Sequence, residues 1–197
     1  MNPLKSIKGT LISGVILSII IIFALRGDAG GNPIEWTVWF HVVVGITWIG
    51  LLYYFNFVQV PAVGEALGDE GGPGPAGINK YVAPRALLWF RWAAVLTWLS
   101  GAAALMKMGI LADAFMLKEN AIVIGVGAWL GTIMLFNFWV LIWPNQQKIL
   151  GMKEASAEEI AKGKVVALMA SRTNTMLSIP MLLAMTASTY HNGGLPF

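Results

Sequence analysis

The stretch Trp36-TVWFHVVVGITWIGLLYYFNFVQ-Val60 decides the fold. It runs for 25 residues without an Asp, Glu, Lys or Arg. About 20 mostly apolar residues suffice to cross the hydrocarbon of a bilayer as a helix. Four further stretches qualify: Gly9–Leu25, Ala86–Met106, Ala121–Trp143 and Val165–Ala187. All are too long and too continuous for barrel strands, which take about 10 alternating residues each. The expected fold is therefore all-α, a single domain over residues 1–197 with five transmembrane helices.

Composition agrees. Thirteen Lys and Arg and ten Asp and Glu make only 12% of the 197 residues charged, against 57% hydrophobic, and mean hydropathy is +0.69. A soluble domain carries about 25% charge, so this chain is not an ordinary cytosolic enzyme, a disordered segment or a collagenous repeat. The absence of cysteine excludes disulfides, thiolate metal sites, iron–sulfur clusters and covalently attached c-type haem. The basic pI, about 9.3, comes from charges spread between apolar stretches, so it reads as membrane orientation and not as a nucleic-acid surface.

Lys5 and Lys8 ahead of Leu11–Leu25 make the first stretch a signal anchor. Pro61–Pro84, with six glycines and several prolines, reads as a long flexible connection. Asn145–Ala155 is polar, and Ser156-Ala-Glu-Glu159 reads as a capping box that opens a helix running into the fifth stretch. Asn192-Gly193-Gly194 is a stop signal. With the N-terminus in the cytoplasm, eight cations (Lys5, Lys8, Lys80, Arg85, Lys148, Lys153, Lys162, Lys164) fall inside and three (Arg26, Lys107, Lys118) outside. The positive-inside rule selects that orientation and puts the C-terminus outside, with a bacterial inner membrane as the expected location.

Ionisable groups within spans point to function. At a helical rise of about 1.5 Å per residue, Arg91, Arg172, Asn137 and Asn56 fall roughly 6–10 Å inside the cytoplasmic boundary, each on a different helix. No span contains a carboxylate to pair with the arginines. A guanidinium without a counter-ion calls for a bound anion or several amide oxygens, which suggests one inner anion site on Arg91, Arg172, Asn56, Asn137 and Asn174. Snorkelling to lipid phosphate is the alternative. The lack of acidic groups also argues against a proton-coupled transporter.

The outer layer holds the only two histidines, His41 and His191. Imidazoles from two helices at one level are what a low-spin haem b requires, so His41 and His191 are expected to ligate the iron of one non-covalent haem b, with Trp48 lining its pocket. Met181 or Met185 are alternative ligands. Helix capping by His191 and an interhelical hydrogen bond from His41 are the simpler uses of the same residues. His41, Gly45, Trp48, Leu52, Asn56 and Gln59 share one stripe of the second helix and face inward. Ala94, Thr97 and Gly101 line the third, and Gly127 and Gly131 form a close-packing pair on the fourth.

The run His41–Gln59, with Trp89-Phe-Arg-Trp92, Asn137–Gln146 and Arg172-Thr-Asn174…Pro180…His191, resembles the bacterial membrane-bound urate hydroxylases, the urate oxidase N-terminal family. The resemblance implies a membrane enzyme that oxidises urate and passes electrons to cytochrome c. Family members carry further spans and a C-terminal cytochrome c domain. This sequence has no C-x-x-C-H, so a separate cytochrome c, or a larger membrane complex, is the expected partner, as a homo- or hetero-oligomer. The contrasting expectation is a cofactor-free accessory subunit of a respiratory complex.

Overall fold

The computed structural model describes residues 2–25 and 32–190, which are helical and contain no strand. The chain divides into two units, Met1–Pro33 and Ile34–Phe197. The first consists of a short 3-10 turn, Pro3–Lys5, and helix α1, Ile7–Leu25. Asn2 caps the turn through its Oδ1, which accepts from the Leu4 amide at 2.9 Å. Ser6 Oγ in turn accepts from the Gly9 amide at 3.1 Å, at the start of α1.

In the second unit α2, Pro33–Tyr54, passes through a π-helical segment, Phe55–Gln59, into α3, Val60–Gly68. A second π segment, Ile78–Val82, opens α4, Ala83–Lys107. Then come α5, Leu111–Phe115, and α6, Ile122–Phe136. A third π segment, Asn137–Ile142, leads into α7, Trp143–Ile149, and α8 spans Ala157–Tyr190.

The three π segments share a cause. Each lies directly before a proline: Pro61, Pro84 and Pro144 occupy the first turn of the following α segment. Proline removes an N–H and its ring collides with the carbonyl four residues back. Those carbonyls belong to Phe57, Lys80 and Val140, each inside its π segment. One wider turn absorbs the clash without breaking the helix.

Four helices among the described residues are long and apolar enough to cross a membrane: Ile7–Leu25, Pro33–Gly68, Ile78–Lys107 and Glu119–Ile149. The expected fifth stretch is indeed helical, but α8 is not among the four. Ser171, Arg172, Thr173, Asn174, Thr175 and Ser178 dilute its apolar content. The connections also differ from expectation. Helix α3 and the second π segment take up most of Pro61–Pro84, and α7 takes up the start of Asn145–Ala155. The capping box is present: the Ser156 amide donates to Glu159 Oε2 at 2.9 Å, and the Glu159 amide donates to Ser156 Oγ at 3.2 Å. The stop signal at Asn192–Gly194 lies outside the described residues.

The core of the second unit joins α2, α4, α6 and α8. Trp48, Leu52, Phe90, Ala94, Met134 and Phe138 are each at most 2% exposed. Aromatic rings run through it, with Phe55 on Phe90 at 5.8 Å and Phe90 on Phe138 at 4.7 Å. Helix α8 buries a narrow seam of small residues, Ala167, Ala170, Asn174, Ser178 and Ala184. A methyl group at Gly127 on α6 would touch Met185 and Ala184 at 3.2–3.3 Å, a close helix contact, whereas one at Gly131 would meet nothing within 4 Å, so only the first member of the expected pair marks close packing. A smaller cluster of Leu105, Ala114 and Ala121 seats α5 on α6. There Gly125 is obligatory, because a Cβ would run into the Ala114 carbonyl. Outside the core, large apolar side chains such as Trp89, Trp92, Phe136, Val140, Met169 and Ile179 are exposed. So much apolar surface suits hydrocarbon and not water.

Candidate functional site

The inward stripe expected on the second helix is observed: His41, Gly45, Asn56 and Gln59 are half-buried, and Trp48 and Leu52 are buried. At its start, His41 Nδ1 lies 2.8 Å from the Thr97 carbonyl and 3.2 Å from Ser100 Oγ on α4. A carbonyl only accepts, so Nδ1 carries the proton and Nε2 presents its lone pair. Nε2 has no hydrogen bond among the described residues. This is the interhelical hydrogen bond expected as the simpler use of His41, and it is also the arrangement that metal-ligating histidines adopt at their second nitrogen. Gly101 makes room for the ring, since a Cβ there would stand 2.9 Å from His41 Cε1. His191 lies outside the described residues. Trp48 is placed in the packed core, and its indole N–H has no partner there.

The inner amides form two separate pairs. Asn137 Nδ2 donates to Asn174 Oδ1 at 2.9 Å, and Asn174 Nδ2 donates to the Met134 carbonyl at 2.9 Å. Asn56 Nδ2 donates to Ser171 Oγ and to the Leu52 carbonyl, both at 2.9 Å. Both Asn56 and Asn137 belong to π segments. A third link joins Tyr53 OH and Ser178 Oγ at 3.0 Å, with Ser178 donating onward to the Thr175 carbonyl at 2.7 Å. These three links run along one face of α8 at positions 171, 174 and 178, tying it to α2 and to the α6 helix. Ser171, Ser178 and Tyr53 were not anticipated from the sequence. For Ser171 and Ser178, the spacing of three and four residues around Asn174 was the available signal.

The two arginines do not share this face. The Arg91 guanidinium lies over the Trp143 ring, 4.5 Å from its centroid, and its Nε is buried without a partner. Arg172 is exposed, on the outward stripe with Val165, Met169, Met176 and Ile179. It stands two residues, about 200° of helix rotation, from Asn174. The structure thus does not assemble one anion site from Arg91, Arg172, Asn56, Asn137 and Asn174. Among the described residues no three His, Cys, Asp or Glu side chains are grouped to hold a metal ion.

Chemically, the arrangement offers one oriented imidazole with a free nitrogen, a polar seam whose amides satisfy each other, and one half-buried guanidinium stacked on an indole. It defines an all-helical protein with four helices long and apolar enough to cross a membrane and a hydrogen-bonded polar seam in its interior. Within that class, residues 110–193 match the model of the urate oxidase N-terminal family. The match includes the Asn137–Gln146 run and the run from Arg172 to His191, while His41–Gln59 and Trp89–Trp92 lie before it. No curated protein and no solved structure matches the chain.

Proposed function

We propose that this chain is a multi-pass protein of the bacterial inner membrane that takes part in oxidising urate or a related small anion. It has its N-terminus in the cytoplasm and passes electrons to a separate cytochrome c. The family match over residues 110–193 carries this reading. In it α8 is the fifth crossing: at about 1.5 Å per residue its 34 residues exceed the hydrocarbon thickness. Its polar side chains are tolerable there because Asn174 and Ser178 are buried against other helices. The eight-to-three distribution of cations sets the direction.

His41 is the residue of this chain suited to hold a non-covalent haem b, since Thr97 fixes its tautomer and leaves Nε2 free. Haem b, when bound, supplies one-electron transfer. His191 is the proposed second ligand. Arg91 is the one inner arginine turned inward, and its guanidinium, half-buried over Trp143, is the cation proposed to hold the anion.

The test is spectroscopic. Protein purified from haem-replete cells should show a Soret band and a reduced α-band, and urate should reduce it anaerobically when cytochrome c is present. A colourless protein overturns the haem assignment, and no reduction by urate overturns the oxidation. A second reading, a cofactor-free accessory subunit, is favoured by the filled core. Trp48, Leu52, Ala94 and Met134 occupy the space between α2, α4 and α6, so a macrocycle on His41 has to lie outside it.

A further inference from the structure

A groove of about 380 Å³ opens between α2 and the beginning of α4. Leu51 and Tyr54 form one wall, and Tyr81, Arg85, Ala86 and Trp89 form the other. The two helices run antiparallel, because His41 meets Thr97 whereas Phe55, later on the first chain segment, meets Phe90, earlier on the second. The groove therefore has a direction. Tyr54, Tyr81 and Arg85 gather at the end near the 69–77 connection, and Leu51, Ala86 and Trp89 lie further along both helices. The offset is about 4.5 Å from Tyr54 to Leu51 and about 6 Å from Arg85 to Trp89. One end carries a cation and two phenols, and the other is apolar.

Arg85 is exposed and has neither a hydrogen bond nor an ion pair among the described residues. No acidic side chain lines the groove. An occupant that satisfies the groove is an anion at one end and hydrocarbon at the other. Tyrosine and tryptophan are the residues favoured where headgroup meets acyl chain, and a guanidinium pairs with phosphate through two parallel hydrogen bonds. We propose that this groove is a binding site for an anionic phospholipid, with the phosphate on Arg85 and the upper acyl chain along Leu51, Ala86 and Trp89. The assignment rests on the membrane reading above. A free phosphate would use Arg85 but leave the apolar wall bare. A choline lipid would use the wall but set a second cation against Arg85.

The experiment is native mass spectrometry of the full chain released from mixed micelles of phosphatidylglycerol and phosphatidylcholine with matched chains. The wild type should retain phosphatidylglycerol preferentially. Arg85→Gln should reduce that preference roughly five-fold, the value of one basic residue at an anionic surface. Arg85→Lys should recover part of it, and Arg172→Gln, an exposed arginine elsewhere, should leave it unchanged. Ala86→Trp, which fills the groove, should lower retention of phosphatidylglycerol with the charge intact. Millimolar inorganic phosphate should not displace the lipid. Displacement by phosphate, equal retention of both lipids by the wild type, or a second copy of the chain held in place of lipid would each overturn the proposal. If the chain is recovered in the soluble fraction and retains neither lipid, the membrane reading itself has failed.

Discussion

Replacing Asn174 by alanine tests whether the polar seam holds α8 in place. Asn174 is fully buried and spends both ends of its amide: Oδ1 accepts from Asn137 and Nδ2 donates to the Met134 carbonyl. The two losses are unequal. Asn137 Nδ2 is left without its acceptor, whereas the Met134 carbonyl still accepts from the Asn137 backbone amide. Interhelical hydrogen bonds in membranes average about 0.6 kcal/mol and reach about 1.7. Leaving a buried donor unmade costs about 1–3 kcal/mol. Asn174→Ala should therefore destabilise the protein by about 1.5–3.5 kcal/mol once the small cavity is added. Asn137→Ala removes only the first bond but strands the buried Asn174 Oδ1, and should cost about 1–3 kcal/mol. The assay is equilibrium unfolding in mixed micelles of both single mutants and the double mutant. Because the residues share a bond, the double mutant should cost less than the sum, with a coupling of at least about 0.5 kcal/mol. A full-length Asn174→Ala protein within about 0.3 kcal/mol of wild type, or strict additivity in the cycle, would refute the reasoning.

Other outcomes follow from single contacts. His41→Ala should abolish the haem spectrum, and Thr97→Pro should weaken it by removing the fixed orientation of α4 beneath the ring. Conversion of Gly125 to valine should detach α5, because even a Cβ there meets the Ala114 carbonyl; faster proteolysis within 111–121 is the readout. Pro144→Ala should let Asn137–Ile142 relax towards an α-helix, and the coupling between Asn137 and Asn174 should then fall in the same double-mutant cycle. The capping box makes a pH prediction. The Ser156 amide, followed by Lys148, holds the Glu159 carboxyl below its ordinary range. A carboxyl whose folded value is depressed contributes stability that is complete above the unfolded value and is lost as pH falls through the folded one. The α8 start should accordingly fray in acid below about pH 4.5, with the slope reduced in Glu159→Gln and by added salt.

What the amino-acid order determined by itself is local or compositional. Hydrophobic length is a property of a segment, so Trp36–Val60 and its counterparts were legible as helices, though α3 and α7 extend them beyond the apolar stretch. The Ser156–Glu159 box and the inward stripe from His41 to Gln59 were legible because both depend on residues three or four apart on one helix. The π segments were written in Pro61, Pro84 and Pro144, yet a proline alone does not distinguish a break from a widened turn; Pro180 sits inside α8 with neither. Which way α8 faces was decided only by the tertiary structure. Its outward residues, Val165, Met169, Met176 and Ile179, are at least as apolar as those it buries, so hydropathy does not separate the outer face from the core. Close packing against Gly127 selects the small side chains, and that choice takes Asn174 and Ser178 inside and leaves Arg172 outside. Size and hydrogen bonding set the rotation of α8, and both depend on the neighbouring helix.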